Sequence, residues 1–131
     1  ILAHINTKED VVFAISHFLD RAVINPKQAE SLQKTISQIV EHDQLKSYFT
    51  AENTIYNERD IISKNKTIIR PDRMVVNSNN EVVIIDYKTG TEDEKHQEQL
   101  ENYQAIIEEM PYKVTKKMLV YINETLKILS F

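Results

Sequence analysis

One stretch, EVVIIDYK at residues 81–88, limits what this chain can fold into more than any other. Val82, Val83, Ile84 and Ile85 follow one another without a polar interruption. That is the pattern of a strand covered on both faces, so the chain must build a sheet with a layer packed on each side. The same strand then ends in Asp86-Tyr87-Lys88. Burying a carboxylate and an ammonium at the tip of a core strand costs several kcal/mol unless something compensates them.

Around this strand the apolar period alternates between helical and extended. Residues 7–23, TKEDVVFAISHFLDRAV, open with Thr7 three before Asp10, an approximate capping box, and repeat apolar residues at Val11, Val12, Ile15, Phe18, Leu19 and Ala22. Asn25 and Pro26 provide a cap and a first-turn proline for a second helix with the stripe Ala29, Leu32, Ile36, Ile39 and Val40. A helical turn is expected over DQLKSYF, residues 43–49.

From Thr54 the pattern becomes strand-like. TIYNERDIIS, KTIIRPDRMVV and EVVIIDYK are separated by the turn formers Ser63 to Asn65 and Asn77 to Asn80, which predicts a three-strand meander. A helix over about residues 92–109 follows, with Leu100, Tyr103, Ile106, Ile107 and Met110 inward and a stop near Pro111. TKKMLVYIN and LKILSF complete the set as strands. Strand, helix, strand in that order makes a right-handed crossover, so KMLVYI is expected parallel to VVIID. The sheet is therefore mixed, with helices on both faces and the element order α-α-β-β-β-α-β-β.

At 131 residues and 41% hydrophobic, the chain suits one compact α/β domain. It begins ILAHI without an initiator methionine and ends KILSF, both apolar patterns cut mid-element, so we expect a fragment of a larger polypeptide. No run is long enough to cross a bilayer and no basic-then-apolar leader is present, which makes the cytoplasm the expected compartment and a membrane partner unexpected. With no cysteine, disulfides, thiolate zinc sites, iron–sulfur clusters and cysteine nucleophiles are excluded. One glycine cannot make a glycine-rich phosphate loop. A formal charge of −4 speaks weakly against non-specific coating of nucleic acid, yet it is compatible with a site that gathers carboxylates for a metal.

The hairpin between the second and third strands brings such carboxylates together. If its loop is the three residues Ser78 to Asn80, Asp72 pairs directly with Asp86, their β-carbons about 5 Å apart on one face. Period 2 puts Lys88 on that face too, while Tyr87 points to the other side and offers only its carbonyl. Two carboxylates that close repel, but a divalent cation reverses the sign of the problem. Mg²⁺ fits an oxygen-rich site of this kind, with Mn²⁺ as the expected substitute. Lys88 would orient or deprotonate a water beside the cation. His96, Gln99 and Tyr103 fall on one side of the following helix, where an amide and a phenol could hold Lys88 or a phosphate.

Pro71-Asp72, then Asp86-x-Lys88, then Gln99-x-x-x-Tyr103 resembles the PD-(D/E)xK nuclease superfamily, in its RecB/AddA-like branch of C-terminal nuclease domains from helicase-nuclease subunits. NERDI, RPDRMVV and VIIDYKTG carry the likeness, which extends from Ile55 to Tyr103. The resemblance implies a restriction-endonuclease-like fold and Mg²⁺-dependent hydrolysis of DNA during double-strand-break resection. It implies as partners DNA, the helicase domains of the same full-length chain and a second helicase-nuclease subunit. It makes Asp72 and Asp86 metal ligands with the carbonyl of Tyr87, Lys88 the catalytic lysine, and Gln99 and Tyr103 the accessory motif, and it matches Glu58 to an acidic residue of the preceding strand. Family members carry a metal-binding histidine in a lead-in of the form H-x-I-L-x-x-I. Ile1, Leu2 and Ile5 match its tail, so that histidine would precede Ile1; His4 is out of phase and is kept as a substitute ligand. Without the histidine the chain is expected to bind metal weakly and to cut weakly or not at all.

Each residue also has an ordinary reading. Arg70 and Arg73 either contact phosphates or neutralise nearby acids. Glu58 is either an accessory acid or a cross-strand partner of a cation. The charge run EDEKHQEQLE is read as a solvated helix face. A silent nuclease-fold domain that only binds DNA or scaffolds a subunit, and an unrelated α+β interaction module, are the competing functions.

Overall fold

The structure, a computed structural model, describes residues 2–123 and 125–131, and the chain divides into two compact units, Ile1–Glu52 and Asn53–Phe131. In the first, helix α1 (Asp10–Asp20) packs with helix α2 (Pro26–Val40). The Asp10 carboxylate accepts the N–H groups of Asn6 and Thr7 at 2.9 and 3.0 Å, so the acid of the expected capping box works while α1 starts only at Asp10. Asn25 and Gln28 cap α2 reciprocally and Pro26 opens it, as the sequence led us to expect. The expected α1 stripe needs correction. Val11, Ala14 and Ile15 are buried, but Val12 is 61% exposed and Ala22 lies beyond the helix at φ 56°, because a stripe through Val11 and Ile15 turns Val12 away. The helical turn expected over residues 43–49 is a 3₁₀ turn at Lys46–Tyr48.

Among the described residues, the second unit holds seven strands and one helix. They are β1 (Thr54–Asn57), β2 (Ile61–Ile62), β3 (Ile68–Ile69), β4 (Arg73–Val76), β5 (Glu81–Lys88), α3 (Glu94–Ile107), β6 (Lys113–Ile122) and β7 (Leu126–Ser130). Five of the strands form one mixed sheet in the order β1-β4-β5-β6-β7, with β6 parallel to β5 and the other pairs antiparallel. This is the expected meander and crossover, with one correction. The first two expected strands are each broken. Glu58 adopts φ 50°, which ends β1, and Pro71 has no N–H to donate to a ladder; the interrupted segments pair with each other as a separate hairpin, β2 with β3.

One face of the main sheet packs on α3. Met74, Val76, Val82, Ile84, Leu119 and Tyr121 meet Leu100, Tyr103, Ile106 and Ile107 there, and Ile69 of β3 joins the cluster. The other face carries Val75, Ile85, Met118 and Val120, which are buried as well, so β5 is covered on both sides as its apolar run requires. Among the described residues no helix is long and apolar enough to cross a membrane.

Candidate active site

Register decides the site. β4 pairs with β5 through Arg73↔Ile85, Met74↔Ile84, Val75↔Val83 and Val76↔Val82, and the Asn77 N–H donates to the Glu81 carbonyl at 3.1 Å. The loop is thus Ser78, Asn79 and Asn80, with Asn80 at φ 59°, a left-handed position that asparagine tolerates. Asp72 is thereby set opposite Asp86.

The two acids are tied to the backbone of each other's strands. The Tyr87 N–H donates to Asp72 Oδ2 at 2.8 Å, and the Asp72 N–H donates to Asp86 Oδ1 at 3.4 Å. Asp86 is buried and Asp72 half-buried. Burial pushes the Asp72 carboxyl up to about 7. The hydrogen-bonded Asp86 carboxyl and its charge add to the rise, against the Tyr87 N–H and the Lys88 ammonium. A pair held this way has more oxygen than positive charge around it at neutral pH. Lys88 supplies part of the balance, its Nζ standing 2.8 Å from Asp86 Oδ2.

Helix α3 completes the chain of contacts. Lys88 Nζ donates to Gln99 Oε1 at 2.7 Å, and Gln99 Nε2 donates to the Tyr103 hydroxyl at 2.8 Å. Because the ammonium must meet an oxygen, the amide group is left to face the phenol, which fixes the orientation of the glutamine. Asp93 caps α3 by accepting the Lys95 N–H, so the helix starts one turn and a half before Gln99 and brings it alongside the end of β5. Burial and then the charges of Asp86 and Asp72 raise the pKa of Tyr103, keeping it a neutral phenol.

The remaining expected residues lie apart from this line. Glu58 is exposed at its left-handed bend and contributes its N–H to the Asp72 carbonyl at 3.1 Å. Arg70 is exposed and donates through Nε to Asp60 at 2.6 Å. Arg73 must be corrected. It is fully buried on the face opposite the acids, with one guanidinium nitrogen donating to Asn57 at 3.0 Å, and so offers no surface to a phosphate. The Tyr87 hydroxyl is buried on that same side. His4 belongs to the first unit, where its ring lies 5.1 Å from Phe18 and 5.9 Å from His17. Among the described residues no three His, Asp or Glu side chains form a metal-binding group.

One contact had no clear sequence signal. His96 Nδ1 lies 2.9 Å from the hydroxyl of Tyr121, whose residue pairs with Lys88 across β5 and β6. The helical spacing of His96 with Gln99 was visible; its partner on β6 depends on the parallel register.

Residues 22–128 match the PD-(D/E)XK nuclease superfamily. The chain belongs to that superfamily. Its mixed sheet with α3 on one face is the restriction-endonuclease-like fold. The crystal structure of SSO0001 is similar at 20% identity with a TM-score of 0.42, over 95% of this chain. The chain spans 63% of the length of that protein. No curated protein matches it.

Proposed function

We propose that this nuclease-superfamily domain hydrolyses DNA phosphodiester bonds with Mg²⁺, replaceable by Mn²⁺. The observation that carries the reading is the unbroken line Asp72, Asp86, Lys88, Gln99, Tyr103, in which two acids share one face beside a doubly anchored ammonium. The donor set suits the ion. Two carboxylates, one of them held protonated up to about pH 7 by burial and then by its neighbour, are relieved by a hard divalent cation, and the peptide of Tyr87 adds a carbonyl. When bound, such an ion neutralises charge on the phosphate and acidifies water.

The protein's own groups then have distinct tasks. Asp72 and Asp86, together with the Tyr87 carbonyl, hold the ion. Lys88 would orient the attacking water as an ammonium, or take the water's proton only after giving one of its own to solvent, and its attachment to Gln99 keeps it from folding away from the acids. Tyr103 holds the Gln99 amide in the orientation Lys88 needs. Arg70, exposed and two residues before Asp72, is the arginine left to meet a phosphate, and Glu58 reaches the site through its N–H on the Asp72 carbonyl. The motif likeness to RecB/AddA-type stretches supports a place for the domain in a larger cytoplasmic helicase-nuclease. There the helicase domains of the same chain would feed it DNA at a double-strand break beside a second subunit.

Cleavage of linear DNA by the full chain, with and without Mg²⁺ or Mn²⁺, tests this directly. Metal-dependent cleavage that disappears in Asp72→Ala is the expected result; Asp72→Ala cutting as fast as the parent overturns the assignment.

A further inference from the structure

The hairpin β2–β3 lies just before Asp72 in the chain and is rich in cations. From Arg59 to Arg70 it carries four cations, Arg59, Lys64, Lys66 and Arg70, against Asp60, which Arg70 engages, and the Glu109 carboxylate, which accepts the Lys64 N–H at 3.4 Å, in a chain whose formal charge is −4. Its register pairs Ile61 with Ile69 and Ile62 with Ile68. Alternation sends the first pair inward, Ile69 into the α3 core and Ile61 packed against it. The second pair faces out. Ile62 is 65% exposed and Ile68 60%. A single exposed isoleucine is ordinary, but two directly opposed ones make a continuous apolar platform, and here lysines flank it.

The hairpin is well fixed. Ser63 accepts and donates across the tip, with its N–H on the Thr67 carbonyl at 2.8 Å and the Thr67 N–H on Ser63 Oγ at 3.0 Å, while Lys66 takes the left-handed turn position at φ 67°. At the base Arg70 and Asp60 close the strands, two residues before Asp72. The platform ends at Ile68, four residues before Asp72, which is at most about 13 Å of extended chain at about 3.3 Å per residue.

We propose that the outer face of this hairpin is a binding surface for the DNA strand that runs to the acids: Lys64 and Lys66 contact its phosphates and Ile62 and Ile68 pack under its unstacked bases. The proposal rests on the nuclease reading above and adds to it a track for the substrate. Charge decides the occupant, since a cation-rich loop on an acidic protein is complementary to a polyanion, and apolar side chains beside cations are what a splayed base needs.

The test is oligonucleotide binding by the full chain in the Asp86→Asn background, so that no cleavage intervenes. Replacing Lys64 and Lys66 by alanine is expected to weaken single-strand binding roughly tenfold or more and to flatten the salt dependence by about 1.4 in log–log slope, from about 0.7 per phosphate lost. Ile62→Thr with Ile68→Thr keeps β-branching and is expected to weaken binding about fivefold with an unchanged melting temperature. Parental affinity and salt slope in both variants overturn the proposal, as does a change of oligomeric state in place of DNA affinity. A photo-crosslinker on Lys64→Cys in this cysteine-free chain covers the case of a misfolded variant: crosslinks to DNA support the track, and none above a Glu98→Cys control refute it. Failure of the nuclease reading would show separately, as absence of metal-dependent cleavage by the parent chain.

Discussion

Two hairpins flank Pro71, and they put opposite chemistry on view. Both turn through small polar residues braced by an amide or hydroxyl: Asn77 Oδ1 accepts the N–H groups of Asn79 and Glu81 in β4–β5, and Ser63 with Asn65 accepts that of Thr67 in β2–β3. Both use a left-handed residue, Asn80 in one and Lys66 in the other. The difference is burial. β4–β5 is buried on both faces, so the polar residues at its open end, Asp72 and Asp86, are forced into a shared, hydrogen-bonded cluster; β2–β3 is covered on one face, so its outer isoleucines and lysines stay in solvent. Turn chemistry sets the register, and the layers around a hairpin decide whether that register makes a site or a surface.

The sharpest way to break this contrast is to exchange a charge at the buried open end of β4–β5. Asp86→Asn is expected to lower metal-dependent cleavage by on the order of 10³-fold, whereas Ile62→Thr with Ile68→Thr leaves turnover at saturating DNA within about twofold and raises KM instead. Rates measured across a DNA concentration series check both. Equal losses of turnover from the two changes would erase the distinction between site and surface.

Packing separates the hairpins next. Ile84→Ala, at a fully buried position, is expected to cost about 2–5 kcal/mol, and Ile62→Ala less than about 1, read by denaturant unfolding. Within the site, Gln99→Leu frees the Lys88 ammonium and is expected to lower turnover by about 10- to 100-fold with little change in stability. Gln99→Glu restores an acceptor, so it should recover part of that loss.

The smallest effect concerns pH. Asp72 has a folded pKa of about 7 against an unfolded value near 4, so its contribution to stability is full below about pH 4. That contribution falls as pH rises through the window to about 7, and it is gone above that. Metal-free protein should accordingly lose stability between pH 4.5 and 7.5, by an amount that Asp72→Asn removes and that added Mn²⁺ reverses at the upper end. Thermal melts across that range, with and without the ion, measure it. A melting profile identical in parent and Asp72→Asn would mean that burial beside Asp86 does not raise the Asp72 carboxyl.

Much of this was legible before any coordinates. The loop Ser78–Asn80 follows from the valines on either side and the asparagine at its left-handed end, and once it is set, period 2 places Asp72, Asp86 and Lys88 on one side. Gln99 and Tyr103 follow from helical spacing. The break at Glu58 was not visible, because nothing in NERDI announces a left-handed residue and the apolar pattern of Ile61 and Ile62 continues the strand. For Arg73, alternation from Asp72 puts the side chain on the opposite face, and its complete burial, which removes the phosphate alternative, follows only from the fold. The pairing of His96 with Tyr121 needed the parallel register of β5 and β6, which composition does not encode.

Calorimetric titration of the full chain with Mn²⁺ tests most directly whether Asp72 and Asp86 hold one ion between them. One saturable site is expected in the parent, lost in both Asp72→Ala and Asp86→Asn. Undiminished binding in either variant would contradict it.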